Sequence, residues 1–344
     1  MKKIIVIFKV SFIKMITNGI FFLFLMFVTQ GKASNYVKIA TIGHKPPAFD
    51  IEMEPGKIVG KMIEFWHEQF AQVLHDRPDL IVVPEACDRP AGFPWEKAQE
   101  YYKVRKDQIK DYFASVAKKN HCYIIYSALR EMDDGSWRNS SILLDRNGQV
   151  AGIYNKNHLT IGEMNHGVRC GTKTPIFECD FGRVAMLICF DLNFDELRLK
   201  YVKEKPDLLI FSSMYHGGLM QRYWAYSCRA FFVGAVASLT SEIYDPLGEV
   251  IATTTNYFDF VVTTVNLDCR LAHLDFNWSK LKTMKEKYGR HVTIKDPGFL
   301  GAVLISSEHE TITADDMIKE FQIEVLDDYF QRSLDYRHKP GNIE

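Results

Sequence analysis

The sequence predicts an α/β protein in which two sheets are covered by helices. From Tyr36 onward, short apolar runs typical of buried strands alternate with longer segments whose apolar residues recur at helical spacing. No linker rich in glycine, serine or proline and no internal repeat interrupts this alternation. The chain has 344 residues, 47% hydrophobic and 25% charged, which is the composition and length of a globular protein with one large domain or two small ones.

The first 33 residues precede this alternation and differ from it in charge. They contain five lysines and no acidic residue, and an uninterrupted apolar run covers residues 20–28. Gly31 and Ala33 are small residues of the kind that a cleavage site requires. We therefore expect residues 1–33 to be a signal peptide that is cleaved after Ala33. The mature protein is then exported beyond the cytoplasmic membrane, as a periplasmic or secreted protein.

A retained membrane anchor is the alternative for the same segment. The nine apolar residues at positions 20–28 reach only about 14 Å in a helix, whereas the hydrocarbon core of a bilayer is roughly 30 Å thick. Contact with a membrane is therefore expected only through this segment, and only if it is not cleaved.

The elements after Tyr36 are predicted in order from the spacing of their apolar residues. Strands are expected at residues 37–42, 80–83, 123–129, 140–144, 150–154, 184–188, 208–211, 233–239, 242–244, 250–254 and 257–267. Helices are expected at residues 58–74, 104–117, 194–202 and 219–232. Asn147 and Gly148 form a strong hairpin signal between two of these strands. Together the elements predict one domain over residues 34–272.

The last part of the chain, residues 273–344, is more polar and less periodic. Within it, residues 318–325 fit either a last strand or a last helix. We expect this part to be an extension that packs on the domain or on a neighbouring subunit rather than a domain of its own.

Charge and cysteine content exclude several functional classes. No basic stripe follows the N-terminal segment, so nucleic-acid binding is not expected. Seven cysteines are too few for a disulfide scaffold; Cys170 and Cys179 are close enough in sequence to pair, and free thiols are an equal alternative. No CxxC or HExxH motif is present, which argues against a metal site.

One cysteine lies where a nucleophile would be placed. The apolar run 184–188 ends at Cys189, and a helix signal follows at once, with Asn193 as the expected cap and Glu196 three positions on. A thiol on such a strand-to-helix turn lies beside free backbone N–H groups, which lower a thiol pKa and can hold an oxyanion. A small apolar core residue is the alternative for Cys189.

Two charged residues also follow predicted buried strands. Glu85 comes just after residues 80–83, and Lys156 just after residues 150–154. Because groups beyond the carboxyl ends of strands meet in one crevice, we expect both to lie near Cys189. Glu85 would act as general base, Lys156 would donate to the oxyanion, and Cys189 would carry the substrate as a thioester. The N–H of Phe190 is the expected second oxyanion donor.

These three motifs resemble the signatures of the nitrilase superfamily, the carbon–nitrogen hydrolases. Glu85 lies in Val-Val-Pro-Glu-Ala, Lys156 in Tyr-Asn-Lys-Asn-His-Leu, and Cys189 in Leu-Ile-Cys-Phe-Asp-Leu-Asn. The resemblance covers roughly residues 37–267. It implies a four-layer αββα sandwich, a homodimer or larger homo-oligomer, and a Glu–Lys–Cys triad that uses no metal and no organic cofactor.

The resemblance also suggests further site residues and a branch of the superfamily. Glu163 matches a second glutamate that follows the lysine and orients it, although a plain loop carboxylate is an equal alternative. Tyr215 and His216 occupy a position that often lines the substrate pocket, although a packed or capping residue is an equal alternative for each. The pair Phe190-Asp191 looks more like the amidases and carbamoylases than the nitrilases, which have tryptophan and glutamate there.

The sequence therefore predicts an exported thiol hydrolase acting on a small-molecule substrate. The bond cleaved would be a linear amide or an N-carbamoyl bond, with release of ammonia or an amine. An acyltransferase, in which an amine resolves the same thioester, is one alternative, and a non-catalytic binding protein that retains the fold is another.

Overall fold

A computed structural model describes residues 34–344 of the chain, and the predicted signal peptide lies outside the described residues. The strands are β1 Tyr36–Ile42, β2 Leu80–Val82, β3 Tyr123–Glu131, β4 Trp137–Leu144, β5 Val150–Asn155, β6 Ile176–Cys179, β7 Gly182–Ile188, β8 Leu208–Ser213, β9 Phe231–Val236, β10 Glu242–Tyr244, β11 Val250–Thr253, β12 Phe260–Asn266, β13 Cys269–His273, β14 Val292–Lys295 and β15 Ala302–Ser307. The helices are α1 Pro55–Leu74, α2 Trp95–Arg105, α3 Gln108–Asn120, α4 Ile161–Asn165, α5 Asp195–Glu204, α6 Leu219–Cys228, α7 Trp278–Tyr288, α8 Ala314–Glu320 and α9 Leu326–Arg337. None of these helices is long and apolar enough to span a bilayer.

Two six-stranded sheets form the body of the molecule. The first has the strand order β12-β1-β2-β3-β4-β5, and the second the order β11-β10-β9-β8-β7-β6. In the first sheet β1, β2 and β3 are parallel neighbours, and in the second sheet β7, β8 and β9 are. In each sheet, the carboxyl ends of these three parallel strands therefore lie at the same end of the sheet.

The side chains of these strands alternate between two cores. In β2, Leu80 and Val82 face the second sheet, whereas Ile81 packs under the helices α1, α2 and α3. In β7, Met186 and Ile188 likewise face the first sheet, while the intervening residues pack under α5 and α6. This period of two buries both faces of each strand. The layers are helices, sheet, sheet and helices, and the predicted αββα sandwich is confirmed.

Two predicted helices are wrong in their extent. The single helix expected at residues 104–117 is two helices, α2 and α3, which are separated at Lys106 because its backbone takes a φ of +43°. The helix expected at 219–232 ends at Cys228, where Arg229 takes a φ of +58°. The apolar residues that follow pair with β8 as strand β9 instead.

Because of the hairpin between β4 and β5, Lys156 lies at the end of the first sheet where β3 also ends. Gly148 has a φ of +75°, and its N–H donates to the Asp145 carbonyl at 2.9 Å, so the predicted Asn-Gly turn is confirmed. Further along β5, a Cβ added at Gly152 would lie 2.1 Å from the Phe177 ring, and glycine is required by this close approach. The strand ends at Asn155, and Lys156 follows directly.

Residues from β13 onward form a small unit that packs on the rest of the described chain. Strands β13, β15 and β14 make a three-stranded antiparallel sheet, and α7 and α8 pack on it around a separate apolar core that includes Met284, Ile305 and Met317. Leu326, the first residue of α9, packs into the core between the two large sheets. The segment predicted at 318–325 as a strand or helix overlaps the end of α8.

Candidate active site

The site lies where strands from both large sheets end. Lys156 follows β5, Cys189 follows β7, and Glu85 lies three residues beyond β2. Ser212 pairs with Ile188 across β7 and β8, and its hydroxyl donates to the Val83 carbonyl at 2.9 Å. This buried hydrogen bond joins the two sheets next to Cys189 and Glu85, so the two residues meet in one crevice.

Lys156 is an ammonium held by two carboxylates. Its Nζ lies 2.8 Å from Glu85 Oε1 and 3.0 Å from Glu163 Oε2, and its side chain is 1% exposed. Burial alone would lower the pKa of Lys156, but the two carboxylates outweigh it and raise the pKa well above the ordinary lysine value. The three N–H bonds of an ammonium are not all used by these two contacts, which leaves one for a ligand.

Glu163 is fixed by the short helix that carries it. Its carboxylate accepts from the backbone N–H of Thr160 at 2.9 Å, and its own N–H donates to the Thr160 hydroxyl at 3.2 Å, which is a capping box at the start of α4. Burial alone would raise the pKa of Glu163, but Lys156 and the hydrogen bonds lower it below the ordinary value. Glu163 is therefore ionised and holds Lys156.

Cys189 forms a strained turn at the end of β7. Its φ is +47°, a left-handed conformation that costs energy in a residue other than glycine, and its side chain is half-buried. The thiol lies close enough to Glu85 and Lys156 for the charges of both groups to act on it. The turn at the end of the strand thus places the sulfur where the charge of Glu85 acts on it.

The expected lowering of the Cys189 pKa is wrong. Burial first, and then the charge of Glu85, raise the pKa of the thiol to about 12, and the effects of Lys156 and the Met214 N–H are too small to reverse this. The sulfur therefore rests as a thiol, so any reaction in which it acts as a nucleophile needs a base that removes its proton.

The residues expected beside the triad differ in their placement. Phe190 follows the nucleophile at the surface and packs edge-on against Phe194 at 5.2 Å. Tyr215 is half-buried, and burial and then the nearby Cys189 raise its pKa to about 12. His216 instead contacts Glu242, with its Nε2 at 3.2 Å from the carboxylate, and no triad contact is found for it in the described part of the chain.

The structure also decides the expected Asn193 cap and the pairing of Cys170 with Cys179. Asn193 does not cap the following helix; Phe194 occupies the cap position, and the Asn193 amide donates to the Phe190 carbonyl and to the Tyr215 hydroxyl. Cys170 and Cys179 are both free thiols. Within residues 34–344, no cluster of His, Cys, Asp and Glu is placed to hold a metal ion.

A buried carboxylate two residues after Cys189 is a part of the site that was not expected from the sequence. Asp191 Oδ2 accepts from the Tyr154 hydroxyl at 2.7 Å and from the Ile188 N–H at 3.0 Å, and Oδ1 accepts from the His158 N–H at 2.8 Å. Its side chain is fully buried. Asp191 thus ties the turn of Cys189 to the segment that carries Lys156. Its position after the nucleophile was the available signal.

We expect Asp191→Asn to destabilise the protein by roughly 3–5 kcal/mol, the cost of breaking a buried charged network. An asparagine has one acceptor oxygen, and its amide group would face donors that now meet the second oxygen. Thermal unfolding at neutral pH measures the effect. Asp195→Asn, at a largely exposed carboxylate on α5, is the matched control. Equal melting temperatures for the two variants would contradict this role of Asp191.

We expect Lys156→Met to lower kcat by at least about 10²–10³-fold, as the loss of one oxyanion donor does. Methionine keeps much of the side-chain volume but leaves Glu85 and Glu163 without their shared cation. Steady-state kinetics on the folded variant measures the effect, and Lys200→Met, at an exposed position on α5, is the control. A Lys156 variant as active as the control would show that the ammonium has no part in the reaction.

A separate cavity of about 430 Å³ lies at the other end of the second sheet, where strands β7, β8 and β9 begin. Arg183, Asp207 and Phe231 line it, together with residues of the small C-terminal unit. Because none of the triad residues lines it, this cavity is distinct from the crevice that contains Cys189.

Comparison with known families identifies this arrangement. The family model for carbon-nitrogen hydrolases matches residues 38–271. The chain belongs to the carbon–nitrogen hydrolase family. The match includes Glu85, Lys156 and Cys189 and ends within β13, before most of the small C-terminal unit.

Curated relatives of this carbon–nitrogen hydrolase are distant. A hydrolase from Schizosaccharomyces pombe is 24% identical over 203 residues, covering 51% of this chain and 62% of the relative. A beta-ureidopropionase from Arabidopsis thaliana is 23% identical, covering 48% and 44%, and an omega-amidase from Danio rerio is 25% identical, covering 50% and 71%. The alignments thus span less than two thirds of the first two relatives.

Solved structures share the fold. Nit3 from Saccharomyces cerevisiae, a member of the nitrilase superfamily, superposes with a TM-score of 0.58 at 17% identity over 68% of this chain and 91% of that one. An amidase from Nesterenkonia sp. superposes with a TM-score of 0.56 at 15% identity over 69% and 94%. The αββα sandwich of this hydrolase family member is therefore that of the superfamily.

Proposed function

We propose that this chain is an exported thiol hydrolase that cleaves a linear amide or N-carbamoyl bond through a thioester on Cys189. One observation carries the proposal: Glu85 Oε1 lies 2.8 Å from Lys156 Nζ, and the charges of both groups act on the Cys189 thiol beside them. A base, a nucleophile and an electrophile in one buried crevice are what acyl transfer through a cysteine requires.

Acylation begins with the thiol proton. Because the pKa of Cys189 is raised, Glu85 takes the proton as the sulfur attacks the substrate carbonyl carbon, and a C–S bond forms. The negative oxygen of the tetrahedral intermediate accepts from the free N–H of Lys156 and from the Phe190 N–H. When the C–N bond breaks, the proton on Glu85 passes to the leaving nitrogen, which departs as ammonia or an amine.

Deacylation repeats these steps with water. Glu85, ionised again, takes a proton from a water molecule that attacks the thioester carbonyl, and the same N–H groups hold the oxyanion. The C–S bond breaks, the sulfur recovers its proton from Glu85, and the acid leaves. Glu163 keeps Lys156 in place throughout, since its own contacts are to Lys156, Asn139 and Thr160.

The substrate class rests on similarity. The relatives include proteins named omega-amidase and beta-ureidopropionase. In a Nesterenkonia amidase structure, with a TM-score of 0.56 and 14% identity over 69% of this chain and 92% of that one, the acetamide moiety of fluoroacetamide is attached to the active-site cysteine. The pair Phe190-Asp191 agrees with an amidase or carbamoylase.

Export and self-association are further parts of the proposal. The basic and apolar pattern of residues 1–33 supports export. On α5 and α6, Leu199, Leu219 and Tyr223 are exposed, which supports a homodimer or larger homo-oligomer in which these helices are covered.

Ammonia release tests the proposed activity. Purified residues 34–344 are incubated with a panel of primary amides and N-carbamoyl amino acids, with and without an added amine. Ammonia from one class is the expected result, together with the free acid from a primary amide, or with the amino acid and carbon dioxide from an N-carbamoyl substrate. An amide of the added amine as the main product would instead establish an acyltransferase. Unmodified substrates across the panel would count against an amidase or carbamoylase.

A further inference from the structure

Asn139 lies between the two carboxylates of the site. It is near the start of β4, its side chain is buried, and its Nδ2 donates to Glu85 Oε1 and to Glu163 Oε1, both at 2.8 Å. Its backbone carbonyl also accepts from the Lys156 N–H at 2.8 Å. Asn139 thus contacts the base, the lysine and the residue that holds the lysine.

We propose that Asn139 is a positioning residue that fixes which oxygen of Glu85 acts as the base. Glu85 Oε1 accepts from both Lys156 Nζ and Asn139 Nδ2, each at 2.8 Å. A carboxylate oxygen has two lone-pair sites, and both of these are used. The proton of the Cys189 thiol therefore goes to the other oxygen, Oε2. This inference rests on the proposed thioester mechanism.

The orientation of the Asn139 amide follows from the same contacts. If the amide were turned over, Oδ1 would lie 2.8 Å from two carboxylate oxygens, and the three acceptors would repel one another. In the observed orientation both N–H bonds are used, whereas Oδ1 is buried and has no partner among residues 34–344. An unpaired buried acceptor destabilises the folded state. In this arrangement the two carboxylates have their hydrogen-bond donors, whereas the amide oxygen has none.

An uncharged hydrogen-bond donor such as Asn139 is well suited to the position between Glu85 and Glu163. Four ionisable groups face one another: Glu85, Glu163, Lys156 and Cys189. One ammonium serves two carboxylates, and a further donor is needed to meet the remaining lone pairs of their Oε1 atoms. Asn139 supplies two N–H bonds without a second positive charge, and the other oxygen of Glu85 stays available to the thiol.

The test replaces Asn139 by leucine, which has a similar size and no donor. We expect kcat/KM to fall by about 10–100-fold, as for outer partners of catalytic groups. The loss should be in kcat, with KM little changed, and the acid limb of the kcat/KM profile should move up by about one pH unit. Ser141→Ala is the control, because Ser141 is buried on the same face of β4 and its hydroxyl donates, within residues 34–344, only to the Met186 sulfur.

Each outcome decides the role of Asn139. A folded Asn139→Leu variant with unchanged kcat/KM overturns the proposal, and so does a loss of kcat with an unmoved acid limb, which would indicate disturbed packing alone. If the leucine variant does not fold, Asn139→Ser, with one O–H donor, should show a smaller loss and a smaller shift of the same sign. Wild-type protein that fails on the amide panel defeats the proposed function, and this inference with it; an active wild type with an equally active variant defeats the inference alone.

Discussion

Cys189→Ala is expected to abolish turnover and to leave the fold intact. The proposed thioester needs the Cys189 sulfur, so the loss should be on the order of 10⁶-fold in kcat, as for other removed nucleophiles. Alanine adopts the φ of +47° no worse than cysteine does, and it removes only a half-buried sulfur. Activity is measured by ammonia release, and folding by thermal unfolding.

The matched control for this variant is Cys170→Ala, which removes an exposed free thiol and should leave activity unchanged. Full activity in Cys189→Ala would contradict the mechanism outright. A melting temperature well below that of the control would mean that the sulfur is mainly a packing group, contrary to its half-buried position.

Glu85→Gln is expected to be inactive and yet to carry a thiol that ionises more easily. Glutamine can accept the hydrogen bonds of Lys156 and Asn139 at its amide oxygen, but it cannot take a proton, so kcat should fall by at least about 10²–10⁴-fold. The charge of Glu85 contributes to the raised pKa of Cys189, and removing it lowers that pKa. The thiolate then appears at lower pH than in the wild type.

The rate of Cys189 alkylation by iodoacetamide, followed against pH, measures this shift. Its midpoint should lie at lower pH in Glu85→Gln than in the wild type, while Glu68→Gln, at an exposed position on α1, should leave it unchanged. An identical midpoint in all three proteins would mean that the Glu85 carboxylate does not act on the sulfur.

Much of the fold and the core of the site could be predicted from the sequence. Continuous apolar runs predict the buried strands, and the polar residue that follows a run predicts the end of the sheet at which the strands meet. Glu85, Lys156 and Cys189 were found in this way, because each directly or closely follows such a run. The Asn147-Gly148 turn fixed the return of β5 toward that edge.

The remaining features depend on packing that is not local in sequence. The direction of the Cys189 pKa shift depends on how fully the sulfur is enclosed and on which way Glu85 points. Asn139 lies inside a strand and reaches carboxylates 54 and 24 positions away, so no local pattern marks it. Asp191 similarly binds Tyr154, 37 positions away.

The separate core of the C-terminal unit could not be predicted from the sequence for a related reason. Its core combines short segments of α7, β14, β15 and α8, each with too few apolar residues to give a clear period alone. The break between α2 and α3 at Lys106 likewise reflects a single left-handed backbone position in a sequence that is otherwise compatible with one helix.

Rapid-quench intact-protein mass spectrometry is the most direct test of the thioester on Cys189. The purified protein is mixed with the best substrate of the panel, quenched in acid within milliseconds to seconds, and digested to locate any adduct. The mechanism predicts an added acyl mass on the peptide that contains Cys189, present in the wild type and missing from Cys189→Ala. Rapid turnover with no adduct at any time, or an adduct on another residue, would contradict it.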